Sequence, residues 1–137
     1  MKKLVAGLLL LALLALSTTA VYALGFNDVY QDAPDTTLYS VEIAYDLDSD
    51  GYFEILFGGY DSLVRIYEFN GTDNGYNLVW TGSAGDGRVM DIDAGFDSDG
   101  DGFLEFAAVS GHNVSIFECT GDNTYTRIWL GNFSDYA

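Results

Sequence analysis

Apolar and polar residues alternate along most of the chain that follows its apolar N-terminal stretch. Alternation with a period of two is typical of a strand, whereas a helix repeats its apolar positions every three to four residues. The alternating runs are short, and glycine, aspartate and asparagine separate them, as in turns. The sequence therefore predicts an all-β protein. The predicted strands are residues 39–45, 53–57, 63–69, 76–80, 89–94, 103–109, 114–118 and 125–129.

These strands form two groups that repeat in the same order. Residues 64–68 (Val-Arg-Ile-Tyr-Glu) correspond to residues 114–118 (Val-Ser-Ile-Phe-Glu) after a shift of 50 positions. Four short strands in a repeat of about 50 residues are typical of a β-propeller blade. We therefore predict two four-stranded antiparallel β-propeller-type blades, a partial propeller, at residues 39–87 and 88–131.

Two blades do not close a propeller, which needs about four to eight. Three arrangements remain open: the chain is a fragment of a longer protein, several copies supply further blades, or two blades pack as an open sandwich. Residues 132–137 are interpreted as a truncated tail, which favours a fragment. Residues 24–38 contain the only proline, and they are interpreted as an N-terminal loop or a stray outer strand at residues 26–30.

The first 23 residues have the pattern of a signal-peptide helix. Lys2 and Lys3 precede an unbroken apolar run, and small residues that suit cleavage follow at Ala20 and Ala23. The pattern predicts a secreted or cell-surface protein. The alternative is a retained anchor, because apolar residues resume after the polar break and a membrane span needs about 20 residues.

Charge excludes several classes of partner. The chain has a net charge of −16, and without its first 23 residues three arginines face 21 acids, a net charge of −18. Such a surface repels nucleic acid and anionic lipid, so we expect neither partner once the signal is cleaved. With 15% aromatic and 49% hydrophobic residues, the chain nevertheless belongs to the folded class.

The two tryptophans and the single cysteine are interpreted as packing residues. Trp80 and Trp129 recur at equivalent places in the two repeats, which favours packing between blades over a sugar-binding platform. Cys119 is the only cysteine, so no internal disulfide is possible. Because it lies in an apolar alternation, we expect a buried, inert thiol.

An acidic loop joins the first and second strands of each repeat. Residues 46–54 and 97–105 carry acids at positions 1, 3, 5 and 9 and glycine at position 6. Alternate residues of a curled loop can aim carboxylates at one point, and Ca²⁺ takes six to eight oxygens at about 2.3–2.6 Å. The loops therefore predict two Ca²⁺ sites, in preference to Mg²⁺ or metal-free turns. An EF-hand is excluded, because its position 12 falls on Phe57 and Ala108, inside strands.

These loops, the Gly58-Gly59 pair and the Val-x-Ile-aromatic-Glu strands resemble the FG-GAP or VCBS repeat family, the blades of integrin-alpha-type β-propellers. The resemblance covers residues 39–131 and implies a Ca²⁺ site in each loop. It implies side-chain ligation by Asp46, Asp48, Asp50 and Glu54 with the Tyr52 carbonyl, and by Asp97, Asp99, Asp101 and Glu105 with the Phe103 carbonyl. The chain departs from the family at the ninth position, where many members carry aspartate.

The sequence contains no recognised spacing of nucleophile, histidine and acid, so we predict a module that is not an enzyme. The resemblance implies cell adhesion or binding of an extracellular protein or glycan. The alternatives are an accessory part of a longer secreted carbohydrate-active enzyme and a structural spacer. N-glycosylation acceptor patterns occur at Asn70, Asn113 and Asn132.

Overall fold

The structure is a computed structural model that describes residues 35–73 and 75–133 of the 137-residue chain. These residues form eight β-strands and no helix, so the all-β prediction is confirmed. The strands are β1 (Leu38–Ala44), β2 (Glu54–Gly59), β3 (Leu63–Phe69), β4 (Tyr76–Ser83), β5 (Val89–Phe96), β6 (Glu105–Ser110), β7 (Asn113–Gly121) and β8 (Thr124–Asn132). Each predicted strand overlaps one of them.

Several predictions fall on residues outside this description. They are the signal-peptide helix at residues 1–23, the stray outer strand at residues 26–30 and the tail beyond residue 133. Within the described part of the chain, no helix has the length and apolar character needed to cross a membrane.

The strands form two antiparallel sheets, with the strand orders β1-β2-β3-β4 and β5-β6-β7-β8, which we call sheet 1 and sheet 2. The prediction of two four-stranded antiparallel units is thereby confirmed. Equivalent residues pair in both sheets: Glu54 lies opposite Glu68, and Glu105 lies opposite Glu118. The repeat in the sequence is therefore also a repeat in strand register.

Gly58 and Gly59 lie within β2, which extends two residues beyond the end of the strand predicted at residues 53–57. Gly58 pairs with Ser40 on one side and with Val64 on the other. A Cβ atom on Gly58 would lie within 2.7 Å of Cγ1 of Val89, so this glycine permits close packing of the sheets instead of a turn.

The core lies between the two sheets. We call the face that carries Leu56 in sheet 1 and its equivalent Ala107 in sheet 2 the front face, and the opposite face the back face. The front face of sheet 1 buries Leu56, Val64 and Ile66. The back face of sheet 2 buries a matching set, Ile92, Phe106, Ala108 and Phe117. The sheets thus pack front to back, through faces that are not equivalent.

Trp80 on the front face of sheet 1 joins the two layers. Its ring makes edge contacts with the rings of Phe106, Phe117 and Tyr125 at centroid distances of 5.8, 5.4 and 5.5 Å. The prediction that Trp80 packs between the repeats is confirmed. Cys119 is buried in the same core, as predicted, and its burial raises the pKa of the thiol.

The three glycosylation patterns differ in accessibility. Asn113 is buried, and its amide nitrogen donates a hydrogen bond to Oδ1 of Asp86. Asn70 and Asn132 are exposed. A glycan on Asn113 is therefore incompatible with this packing, whereas the other two positions are open to modification.

Candidate metal centres

The loop between β1 and β2 is curled by its own side chains and by positive φ angles. Asp46, Ser49 and Gly51 have φ values of 50°, 66° and 98°. The Gly51 N–H donates to Oδ1 of Asp46 at 3.0 Å, and the Tyr52 N–H donates to Oδ1 of Asp50 at 2.8 Å. Aspartate side chains that accept bonds from nearby backbone groups form such turns without any helix or strand.

The loop between β5 and β6 has the same design. The two carboxylate oxygens of Asp97 accept bonds from the Gly100 N–H at 2.7 Å and the Gly102 N–H at 3.1 Å. Asp101 accepts from the Phe103 N–H at 2.9 Å. Gly100 occupies the position of Ser49, and its φ of 82° is one that glycine adopts without strain.

The second loop brings together its four predicted side-chain ligands. One carboxylate oxygen from each of these acids lies within 4.8 Å of all the others. The four acids are Asp97, Asp99, Asp101 and Glu105.

Glu105 distinguishes this group from an ordinary acidic turn. The residue is 0% exposed; its Oε2 accepts a bond from the Ser98 N–H at 2.6 Å, and its Oε1 has no hydrogen-bond partner. A buried carboxylate oxygen without a partner is costly, and native structures rarely leave one without a reason. A cation held between Glu105 and the three aspartates would remove that cost.

The first loop contributes only two of its predicted ligands to a similar group. The four acids whose carboxylate oxygens lie within 4.8 Å of one another are Asp48, Asp50, Glu68 and Asp122. Glu68 comes from β3, and Asp122 comes from the turn between β7 and β8 in sheet 2. The first group is therefore assembled across the interface between the sheets.

Hydrogen bonds and unpaired atoms support this assembly. The Asn123 N–H donates to Oδ2 of Asp48 at 2.8 Å, which fixes the β7–β8 turn against the first loop. Oδ1 of Asp48 and Oε2 of Glu68 are buried and have no hydrogen-bond partner. Two residues of this group thus each carry a buried carboxylate oxygen without a hydrogen-bond partner.

Asp46 and Glu54, the other predicted side chains of the first loop, are not members of this group. Asp46 caps the turn through Gly51. Glu54 is 0% exposed; its Oε2 accepts from the Leu47 N–H at 2.5 Å, and its Oε1 is unpaired. In these respects Glu54 repeats Glu105.

Burial and like charges shift the pKa values of the acids around the first group. Burial raises the pKa of Glu54 to about 7, and the charges of Asp48 and Glu68 add to the shift against the opposing Leu47 N–H. Burial also raises the pKa of Asp48 and that of Glu68 above their ordinary values, again with help from neighbouring carboxylates. These groups resist ionisation together, as expected of neighbouring carboxylates that share a partly buried site.

Glu118 lies near the second group without belonging to it, whereas its equivalent Glu68 is a member of the first group. Burial raises the pKa of Glu118, and the charges of Asp101, Asp99 and Glu105 raise it further. The sequence carried a signal for both residues, because the repeated Val-x-Ile-aromatic-Glu strand ends on them. We used that motif for the repeat and did not assign its glutamate to the site.

Tyr52 and Phe103 hold the seventh position of each loop, and their rings are exposed. Their N–H groups donate to Asp50 and Asp101. Ligation by their carbonyl oxygens stays a prediction.

Both groups place four carboxylate oxygens within 4.8 Å of one another, and carboxylate oxygens are ligands that both Ca²⁺ and Mg²⁺ take. The chain matches no family model, no curated protein and no solved structure.

Proposed function

We propose that this chain is a calcium-binding repeat module of a secreted or cell-surface protein, similar to FG-GAP or VCBS blades of a β-propeller. The observation that carries the proposal is Glu105, a fully buried carboxylate with one unpaired oxygen, held within 4.8 Å of three aspartate oxygens. Calcium would offset half of the charge of the four carboxylates and stiffen the loop between β5 and β6.

A second calcium ion would bind the group formed by Asp48, Asp50, Glu68 and Asp122. Glu54, whose ionisation the same ion would favour, supports the loop through the Leu47 N–H. Because Asp122 belongs to sheet 2, calcium at this group would also hold the two sheets together. The resemblance adds adhesion or binding of an extracellular protein or glycan as the purpose of the stiffened module.

Calcium titration of the full chain tests the proposal. We expect two sites by calorimetry and a rise in thermal stability, since a ligand at a hundred times its Kd adds about 2.7 kcal/mol per site to the free energy of unfolding. Asp99→Ala should remove the second site alone, and Asp48→Ala the first alone. Asp35→Ala, at an exposed aspartate ahead of β1 and outside both groups, is the control. Absence of a binding heat together with an unchanged melting temperature would overturn the proposal.

A further inference from the structure

We propose that the front face of sheet 2 receives the back face of sheet 1 from a second copy of this chain, and that Asp73 of that copy completes the second acidic group. The part that concerns Asp73 rests on the proposed calcium binding. The stacking of the copies does not, because it follows from the packing of the two sheets.

The interface inside the chain is the template for this contact. Sheet 1 offers its front face to the back face of sheet 2, and the two sheets are repeats with the same register. The same two kinds of surface therefore occur once more on the molecule, as the back face of sheet 1 and the front face of sheet 2. A front-to-back contact between copies would continue the contact that already exists.

Equivalent residues of the two sheets differ in burial, and the more exposed ones mark a face that no other sheet covers. Ile92 on the back face of sheet 2 is 5% exposed, whereas its equivalent in sheet 1, Val41, is 60% exposed. Ile43, two residues further along the same face, is 59% exposed. Exposed aliphatic side chains on one sheet face are typical of an interaction surface.

On the front face of sheet 2, Trp129 is likewise more exposed than its equivalent in sheet 1. Trp80, its equivalent, is partly buried and packs among three aromatic rings, whereas Trp129 is 46% exposed. The equivalents of those three rings in sheet 1 are Ile55, Tyr67 and Tyr76. Tyr67 is only 3% exposed within one chain, so the half-buried Ile55 and Tyr76 of a second copy would supply the contact with Trp129.

A hollow beside the first loop lies where this neighbour would enter. It has a volume of about 400 Å³, and Tyr52, Phe69 and Tyr76 contribute to its lining. The equivalents of Phe69 and Tyr76 in sheet 2 are Cys119 and Tyr125, which share a core cluster with Leu47 of the first loop. In a stack of copies, the second loop of one molecule would enter this hollow as the first loop enters that cluster.

The acidic groups show which residue the partner contributes. At the first group, the β7–β8 turn of the neighbouring sheet supplies Asp122. The equivalent of Asp122 in sheet 1 is Asp73 of the β3–β4 turn, which is exposed. In the proposed stack, Asp73 would approach Asp99 as Asp122 approaches Asp48.

A front-to-back contact is heterologous, so it builds a ring or an open stack instead of a symmetric pair. With two sheets in each copy, a closed ring of four to eight blades would contain about two to four copies.

Sedimentation of the full chain tests the stacking. We expect assembly that Trp129→Glu and Val41→Glu each weaken at least tenfold, and that Tyr60→Glu, at an exposed ring in the β2–β3 turn, leaves unchanged. Each variant retains one intact face, and the two intact faces are complementary. An equimolar mixture should therefore form a dimer that contains one copy of each variant, and no larger assembly. A monomer at all concentrations, assembly insensitive to both variants, or a mixture that forms no pair would overturn the inference.

Calcium titration of the assembled chain tests the role of Asp73. Asp73→Asn should lower the affinity of the second site about tenfold, because it removes one charged ligand, while Asp35→Asn leaves it unchanged. An unchanged second site in Asp73→Asn would overturn this role. Two calcium sites in a strictly monomeric chain would overturn the stacking and leave the proposed function standing. Assembly without calcium binding would support the stacking and reject the proposed function.

Discussion

Glu54 and Glu105 hold equivalent places at the start of β2 and β6, and both are fully buried. Each accepts one backbone N–H through Oε2 and leaves Oε1 without a partner. A glutamate buried in this way organises the loop that precedes it, and its second oxygen remains available. The ninth position of the loop thus does more than supply a possible ligand, because it also fixes the path of the backbone.

The raised pKa of Glu54 predicts how stability depends on pH when no divalent cation is present. Burial raises its pKa to about 7 in the folded chain, from an ordinary value of 4.5. Between these values the folded state holds a proton that the unfolded state has lost, so stability should fall as pH rises from about 4.5 to 7. The slope should approach 1.4 kcal/mol per pH unit, measured by urea unfolding in chelator.

Glu54→Gln should reduce this slope without abolishing it, because the pKa values of Asp48, Glu68 and Glu118 are shifted in the same direction. Ser40→Ala, on the neighbouring strand β1, removes no ionisable group and should leave the slope as it is. A stability that rises over this pH range in chelator would contradict the assignment of a protonated Glu54.

The two acidic loops are the elements in which sequence and conformation can be compared directly. Ser49 and Gly100 occupy the same loop position with φ values of 66° and 82°. A side chain pays a conformational cost in this region that glycine does not, and no atom lies within 4 Å of a Cβ built on Gly100.

We therefore expect Gly100→Ser to destabilise the chain by about 1 kcal/mol, through backbone strain alone. Ser49→Gly should be close to neutral, because relief of strain is offset by the greater freedom of glycine in the unfolded chain. Chemical denaturation of both variants, with calcium and with chelator, measures the asymmetry. Equal effects in the two loops would show that they do not share one backbone design.

The local sequence pattern was sufficient to predict the strands, but it was not sufficient to predict the members of the first acidic group. All eight strands were predicted, because alternation and turn residues act within a few positions of the chain. The four acids of the second loop do come together, since they lie within one loop, and their role as metal ligands stays a prediction. Asp122 was missed because it reaches Asp48 only when the sheets pack front to back, and no local pattern specifies which faces meet.

At the scale of the whole molecule, one front-to-back interface determines which equivalent residues differ in environment. Trp80 and Trp129 have the same place in their repeats, but only Trp80 faces the other sheet of its own chain. The sequence predicted packing for both tryptophans. For Trp129 that prediction depends on a neighbour outside the chain, and it stays a prediction.

The pair provides a matched test of the interface. Under dilute conditions that keep the chain monomeric, Trp80→Ala should lower the free energy of unfolding by about 3 kcal/mol, because it removes a ring that packs against Phe106, Phe117 and Tyr125. Trp129→Ala should cost less than about 1 kcal/mol under the same conditions. At concentrations where copies associate, the cost of Trp129→Ala should rise towards that of Trp80→Ala. Equal costs in the dilute chain would mean that Trp129 already packs within one molecule, which would remove the basis for a neighbour at that face.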